Sequence, residues 1–348
     1  MHRIPTSDFS PGKVLARSVY TPSGELLLPE GTRLTERLRP VLTEWGVTEI
    51  CVEDERSGHT KAAAVPKGTA GPEPVRLAYS RAVSLVAKGM GELRQGRPVS
   101  WRRLGEESGE LAMTVAFEPG ILEYLHRLHC GEDYTFEHSV KVGVLAALLA
   151  KWLGLAFTDQ VEVAVAAVLH DAGKALVPPE ILSKPGRLTP EEFEAAKAHS
   201  TAGYDLLAAE YGPDALPPRV ALEHHERMDG RGYPRGLQGR EALLASRIVA
   251  VADVYDAMTS DRVYQRGQPE YAVLAHLRES GFSQLDPRVT RAFVERLVYR
   301  TLGRLVRLSN GQLGRVVLVN AQEPGRPIVA VGNSLIDLRQ HRDLSLVG

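Results

Sequence analysis

Two dipeptides place metal-competent side chains next to one another: His170-Asp171 in LHDAGK and His224-His225 in HHERMDGRGYP. His170-Asp171 closes an apolar helical pattern, where polar groups must be satisfied by something specific. Neighbours on a helix point about 100° apart, so such a pair can serve one wide cluster, with Asp171 bridging two ions. The tandem histidines repeat the arrangement, and two adjacent ligand pairs point to more than one metal. Asp229-Gly230-Arg231-Gly232-Tyr233-Pro234 follows at once. Its glycines allow positive φ and its proline fixes the exit, the composition of a compact turn. His138, His199 and Asp253 are further candidates, each within a half-buried helical pattern. Singly, each reads as an ordinary packed or exposed residue. His126, His129 and Cys130 lie together without a carboxylate and read as helix surface.

Helices must carry these groups. Val83, Val86, Met90 and Leu93 recur at helical spacing, and similar patterns run through ILEYLHRLHC, EHSVKVGVLAALLAKWLGL, VEVAVAAVLHDAGKAL, PEEFEAAKAHSTAGYDLLAAEY and LASRIVAVADVYDAMTSD. Thr189-Pro190-Glu191-Glu192 is a helix-capping signal. The first fifty or so residues instead read as strands and turns, with a hairpin about Pro22-Ser23-Gly24, a short helix in LTERLRPVLTEWG and a closing strand in TEICVED. Residues 57–74 are rich in Gly, Pro, Ala and Thr and read as a flexible linker. Near the end, β-rich runs flank Asn310-Gly311, a preferred pair for a tight hairpin.

The totals narrow the partners. A net charge of -1 over 348 residues gives no general attraction to a nucleic-acid polymer or an anionic membrane, so an anionic substrate must be drawn by a local site. Cys51 and Cys130 are far apart and unpaired in spacing, which excludes a disulfide scaffold or thiolate zinc site and fits a reducing compartment. The start, MHRIPTSDFSPG, lacks a signal peptide's apolar core. The run VGVLAALLAKWLGLAF is interrupted by Lys151 and reads as a buried helix, not a membrane span. The expected setting is cytoplasmic.

Taken together, the motifs carry a family resemblance. H-D-x-G-K at His170 to Lys174 resembles the core signature of the HD phosphohydrolase superfamily. H-H-E-x-x-D-G-x-G-Y-P at His224 to Pro234 is similar to the hallmark of its HD-GYP subfamily. Y-T-x-x-H-S at Tyr134, V-P-P-x-I-L at Val177, K-x-H-x-x-x-G at Lys197, A-D-x-x-D-A-x-T-S-x-R-x-Y at Ala252 and F-x-x-L-D-P at Phe282 agree, in the same order. The resemblance implies a mainly α fold: an HD-type helical bundle with small β-rich modules at both termini. The expected parts are a β-rich module at 1–56, the linker at 57–74, a helical connector at 75–130, a catalytic domain at 131–298 and a β module at 299–348.

Carried over, the resemblance implies metal ligands at His138, His170, Asp171, His199, His224, His225 and Asp253. Imidazoles and carboxylates without sulfur suit iron or manganese, and zinc or nickel less specifically. Some family members hold a third metal with a glutamate four residues before the first histidine. Tyr134 stands there, so the expectation is two metals. Two ions a few ångströms apart can deprotonate a bridging water near neutral pH and aim it at phosphorus. Asp171 would set their separation, and Lys174 would meet phosphate oxygens as charge redistributes. Arg262 resembles a substrate contact, and Gly232, Tyr233 and Pro234 would wall the pocket. Gln265 falls where relatives often carry a basic residue, with Arg266 beside it.

The implied function is hydrolysis of cyclic di-GMP to pGpG or GMP. The alternatives are a receptor that binds the dinucleotide without cleaving it, and a hydrolase of another cyclic dinucleotide or nucleotide. A homodimer through the helices before His138 follows from family habit alone.

Overall fold

A computed structural model describes residues 2–347 except 9, 11, 18, 21–25, 29–33, 35–38, 40, 41, 44–46, 53–71, 119, 130–133, 185, 261–266, 281, 282, 321, 322 and 333. The chain is mainly α, with small antiparallel sheets towards its ends, as the sequence patterns predict. It divides into two compact units: Met1–Ala64 with Thr301–Gly348, and Val65–Arg300.

In the first unit β1 (His2–Pro5) pairs with β4 (Glu49–Val52), and β2 (Val19–Tyr20) with β3 (Leu26–Leu28), both antiparallel. A four-stranded antiparallel sheet follows chain order through β5 (Leu305–Arg307), β6 (Leu313–Leu318), β7 (Ile328–Val331) and β8 (Ser334–Asp337). Asn310-Gly311 lies between β5 and β6. Leu15, Leu28, Ile50 and Val52 share one apolar cluster with Val317, Leu318 and Ile328. Short segments bury little surface alone, and pooling the two ends enlarges the core each can use. The expected Pro22-Ser23-Gly24 turn, most of LTERLRPVLTEWG and residues 57–71 lie outside the described residues.

In the second unit α1 (Glu73–Arg94) packs on α2 (Trp101–Ala116), burying Val83, Val86 and Met90. ILEYLHRLHC forms less helix than its pattern suggests. α3 (Ile121–Tyr124) passes into a single 3-10 turn, Leu125–Arg127, and the chain is extended at Leu128. His129 therefore lies off the helix, and Cys130 lies outside the described residues.

α4 (Tyr134–Trp152) is the central helix, buried at every position from Glu137 to Ala150. It packs against α5 (Phe157–Leu169), α2, α1 and α9 (Leu244–Thr259). Contact on all sides explains its nearly continuous apolar run. Side chains such as Leu145 and Leu149 each contribute roughly 1.5–3 kcal/mol on burial, so packing anchors this helix. The last residues of VGVLAALLAKWLGLAF belong to the turn after Trp152 and to the start of α5. No described helix is long and apolar enough to cross a membrane.

The remaining α-helices among the described residues are α6 (Pro179–Leu182), α7 (Pro190–Tyr211), α8 (Leu216–Glu223), α10 (Glu270–Ser280) and α11 (Pro287–Leu297). The predicted cap of α7 is formed: Glu192 N donates to Thr189 Oγ1 at 3.2 Å, and Thr189 N to Glu192 Oε2 at 2.7 Å. These bonds satisfy otherwise orphaned amides and fix where the helix carrying His199 begins.

Candidate metal centre

Each candidate ligand arrives on an element whose packing is fixed by other residues. α5 ends at Leu169, leaving His170 as its C-cap and Asp171 at the mouth of a 3-10 turn, Ala172–Leu176. α8 ends at Glu223 and delivers His224-His225 in the same way. α4 carries His138, α7 His199 and α9 Asp253. Gly173 lets the HD turn lie against α7. A Cβ there would fall 2.0 Å from the His199 carbonyl oxygen and 2.5 Å from Gly203 N, so only glycine permits the approach.

The side chains form two sets that share a member. Asp171, His199, His224 and His225 make one, and His138, His170 and Asp171 the other, with ligand atoms in each set within 4.8 Å of one another. Asp253 lies outside both tight sets but adjoins the second, its Oδ1 3.1 Å from His138 Nε2. The structure thus gathers the seven candidates; His170 and His224 are fully buried. Arg262, Gln265 and Arg266 lie outside the described residues.

Tautomers follow from the carbonyls. His170 Nδ1 donates to Ala167 O at 2.6 Å, His199 Nδ1 to Ala196 O at 2.6 Å, and His224 Nδ1 to Ala221 O at 2.9 Å. A carbonyl only accepts, so in each neutral ring Nε2 carries the lone pair. Those lone pairs converge. His199 Nε2 is 3.3 Å from His224 Nε2 and 3.1 Å from His225 Nε2, and 3.4 Å from Asp171 Oδ1. Among the described residues neither His170 Nε2 nor Asp171 Oδ1 has a hydrogen-bond partner, though both are buried. Lone pairs facing a carboxylate repel one another unless a cation lies among them. The donor set therefore fits divalent metal.

The electrostatics divide the imidazoles. Burial, helped by the neighbouring rings, holds His224 far below its ordinary value; burial also lowers His199 and brings His225 to about 3. Burial opposes charge on His138 too, but its hydrogen bonds to Asp253 and Asp256 outweigh that and lift it to about 9. For Asp171 and Asp253 burial favours the neutral acid; His170 and Lys174 beside Asp171, and the His138 hydrogen bond to Asp253, overcome it and keep both carboxyls well below their usual range. Lys174 Nζ donates to Asp171 Oδ2 at 2.5 Å, with its side chain 25% exposed at the cluster's edge.

Two acids outside the predicted ligand set have clear partners. Asp256 Oδ2 accepts from His138 Nδ1 at 2.7 Å, and Ser260 Oγ donates to Asp256 Oδ1 at 3.1 Å. The signal was its place three residues after Asp253, nearly one helical turn. Glu226, the acid after the tandem histidines, accepts from Arg235 N at 2.7 Å and Leu237 N at 2.9 Å, tying the turn back beneath the pair. Gly232 approaches the same strand of chain: a Cβ there would lie 2.4 Å from Glu226 Cα and 2.6 Å from His225 O. Tyr233 stacks on His225 with ring centroids 4.6 Å apart, and the Tyr233–Pro234 peptide is cis. Tyr134 stacks on His138 at 5.5 Å with its hydroxyl 3.5 Å from Nδ1.

The HD domain family matches residues 128–289 of this sequence. A cyclic di-GMP phosphodiesterase of Pseudomonas aeruginosa is 37% identical over 295 residues, which cover 79% of this chain and 71% of that protein. The chain belongs to the HD domain family. A second cyclic di-GMP phosphodiesterase, of Thermotoga maritima, is 40% identical over 184 residues, 51% of this chain and 50% of that protein. Among solved structures, a HDG"Y"P protein from Bdellovibrio bacteriovorus superposes with a TM-score of 0.52 at 14% identity, covering 85% of this chain and 99% of that one, a likeness of fold.

Proposed function

We propose that this protein is a metal-dependent phosphodiesterase that hydrolyses cyclic di-GMP to pGpG and/or GMP, with residues 131–298 as its catalytic part. One observation carries the metal dependence: Asp171 belongs to both ligand sets, and buried lone pairs point at it. The names of the relatives support the substrate. The donor types favour two iron or manganese ions, one held by Asp171, His199, His224 and His225, the other by Asp171, His138 and His170 with Asp253 beside them. Tyr134 offers a phenol where a third ion would require a carboxylate.

A bound pair of ions supplies positive charge to the phosphate and acidifies water near neutral pH. The chain's own residues do the rest. Asp171 fixes the spacing of the two sets. Lys174, at the edge of the cluster, presents an ammonium to a phosphate oxygen entering beside Asp171. Asp256 holds the His138 ring, and the turn from Asp229 to Pro234 walls the pocket beside His225. Arg262 would contact a second phosphate with its forked donors. Two cysteines without paired spacing in the sequence support a reducing, cytoplasmic setting.

The test is metal quantification on anaerobically purified protein, paired with turnover of cyclic di-GMP and other cyclic dinucleotides. Wild type is expected to carry two metals per chain and to prefer cyclic di-GMP. Asp171→Ala is expected to lose most of its metal and its turnover; full turnover in that variant would overturn the reading.

A further inference from the structure

The line of rings that begins at the metal cluster continues beyond the GYP turn. Tyr233 stacks on His225. The Lys197 ammonium lies 5.4 Å from the centre of the Tyr233 ring and 4.7 Å from that of Phe193. Phe193 and Lys197 stand four residues apart on the same face of α7. Phe193 is 48% exposed despite being a large apolar side chain. Lys197 also donates to Glu194 Oε1 at 2.7 Å, which leaves its other protons to point elsewhere.

A lysine against aromatic rings is not in itself a site, and this molecule contains the counterexample. Lys151 lies 4.2 Å over Phe117, which meets Phe157 edge-on at 6.1 Å. That group sits at the far end of α4 from His138, about 20 Å along the helix. The Phe193–Lys197 pair differs because Tyr233 connects it to His225, beside the place where a phosphate would react.

We propose that Phe193 and Lys197 form a guanine-binding subsite, an inference that rests on the function proposed above. An exposed aromatic face stacks any base and adds affinity without selecting among them. The adjacent ammonium selects. Guanine presents two acceptors on one edge, O6 and N7, whereas adenine presents N7 beside an amino donor that opposes an ammonium.

Steady-state kinetics of the full chain, with cyclic di-GMP and cyclic di-AMP as probes, test this. Phe193→Ala is expected to raise KM for both by about tenfold, with kcat within about threefold, the size of one base–aromatic stack. Lys197→Met is expected to lower kcat/KM for cyclic di-GMP about tenfold and for cyclic di-AMP less than about threefold, erasing part of the guanine preference. Phe157→Ala, a surface aromatic remote from the cluster, is expected to match wild type. Metal content is measured in every variant. A KM for Phe193→Ala within about twofold of wild type, loss of metal from it, or equal losses on both substrates in Lys197→Met would overturn the subsite. Failure of wild type to turn over cyclic di-GMP while it cleaves bis(4-nitrophenyl) phosphate would instead overturn the function on which the subsite rests.

Discussion

His138 differs from the other imidazoles of the cluster in the charge it holds before any ion binds. At neutral pH His199, His224 and His225 are held neutral by burial, whereas His138, near 9, keeps a proton between Asp253 and Asp256. An ion needs the lone pair, so loading at pH 7 is expected to release about one proton and to tighten as pH rises towards 9. Titration calorimetry in two buffers of different ionisation enthalpy reads that proton; heats independent of buffer would contradict it. The ion-free fold should feel both shifts. His138 is raised above its ordinary 6.5, so its contribution is full below 6.5 and lost as pH climbs through about 9. His225 is depressed to about 3, so the fold weakens as pH falls from 6.5 towards 3. Melting of ion-free protein should therefore be highest near pH 6.5. Asp256→Ala is expected to weaken metal affinity about 10- to 100-fold, as losses of such supporting carboxylates do, with Asp256→Asn between it and wild type because its amide oxygen still accepts from Nδ1. The seven candidate ligands were legible because each falls in a motif with fixed spacing. Asp256 and Glu226 were not, because their roles depend on partners that only folding brings near.

At the scale of elements, two glycines set how closely the ligand-bearing segments meet. Gly173→Ala places a methyl 2.0 Å from the His199 carbonyl oxygen, and backbone on both sides cannot yield without moving His170-Asp171 away from α7. Overpacking of this kind costs about 1–3 kcal/mol. The variant should melt several degrees lower and bind less metal, and a crystal structure should show the HD turn displaced; unchanged melting and metal content would contradict the close-packing account. The elements themselves were unequally readable. α4, α5, α7 and α9 announce themselves by apolar runs or caps. α2 does not, because Gly105 and Gly109 interrupt its pattern as helix breakers would; in the fold a Cβ on Gly109 would meet Val165 Cγ2 at 2.5 Å, so that glycine serves a close helix crossing. ILEYLHRLHC has helical periodicity but leaves the helix after Arg127. Periodicity records which side chains are buried, not where the backbone stops.

The whole molecule separates a helical unit containing every candidate ligand from a β-rich unit with its own apolar cluster. Metal that binds the folded state stabilises it by mass action, about 2.7 kcal/mol at a hundredfold excess over Kd. Chelation is therefore expected to lower the melting of the helical unit and leave that of the β-rich unit in place, read by calorimetry with and without chelator. Equal shifts in both transitions would contradict it. The β-rich character of both ends was visible in the sequence, but their shared cluster was not, because no local pattern records a contact between residues some three hundred positions apart. Asp171 is the shared member of both ligand sets, and anomalous scattering from manganese-loaded crystals tests that sharing most directly. Two peaks roughly 4 Å apart are expected, both beside Asp171, one against His199, His224 and His225 and the other against His138 and His170. A single peak away from Asp171, or none in the cluster, would contradict it.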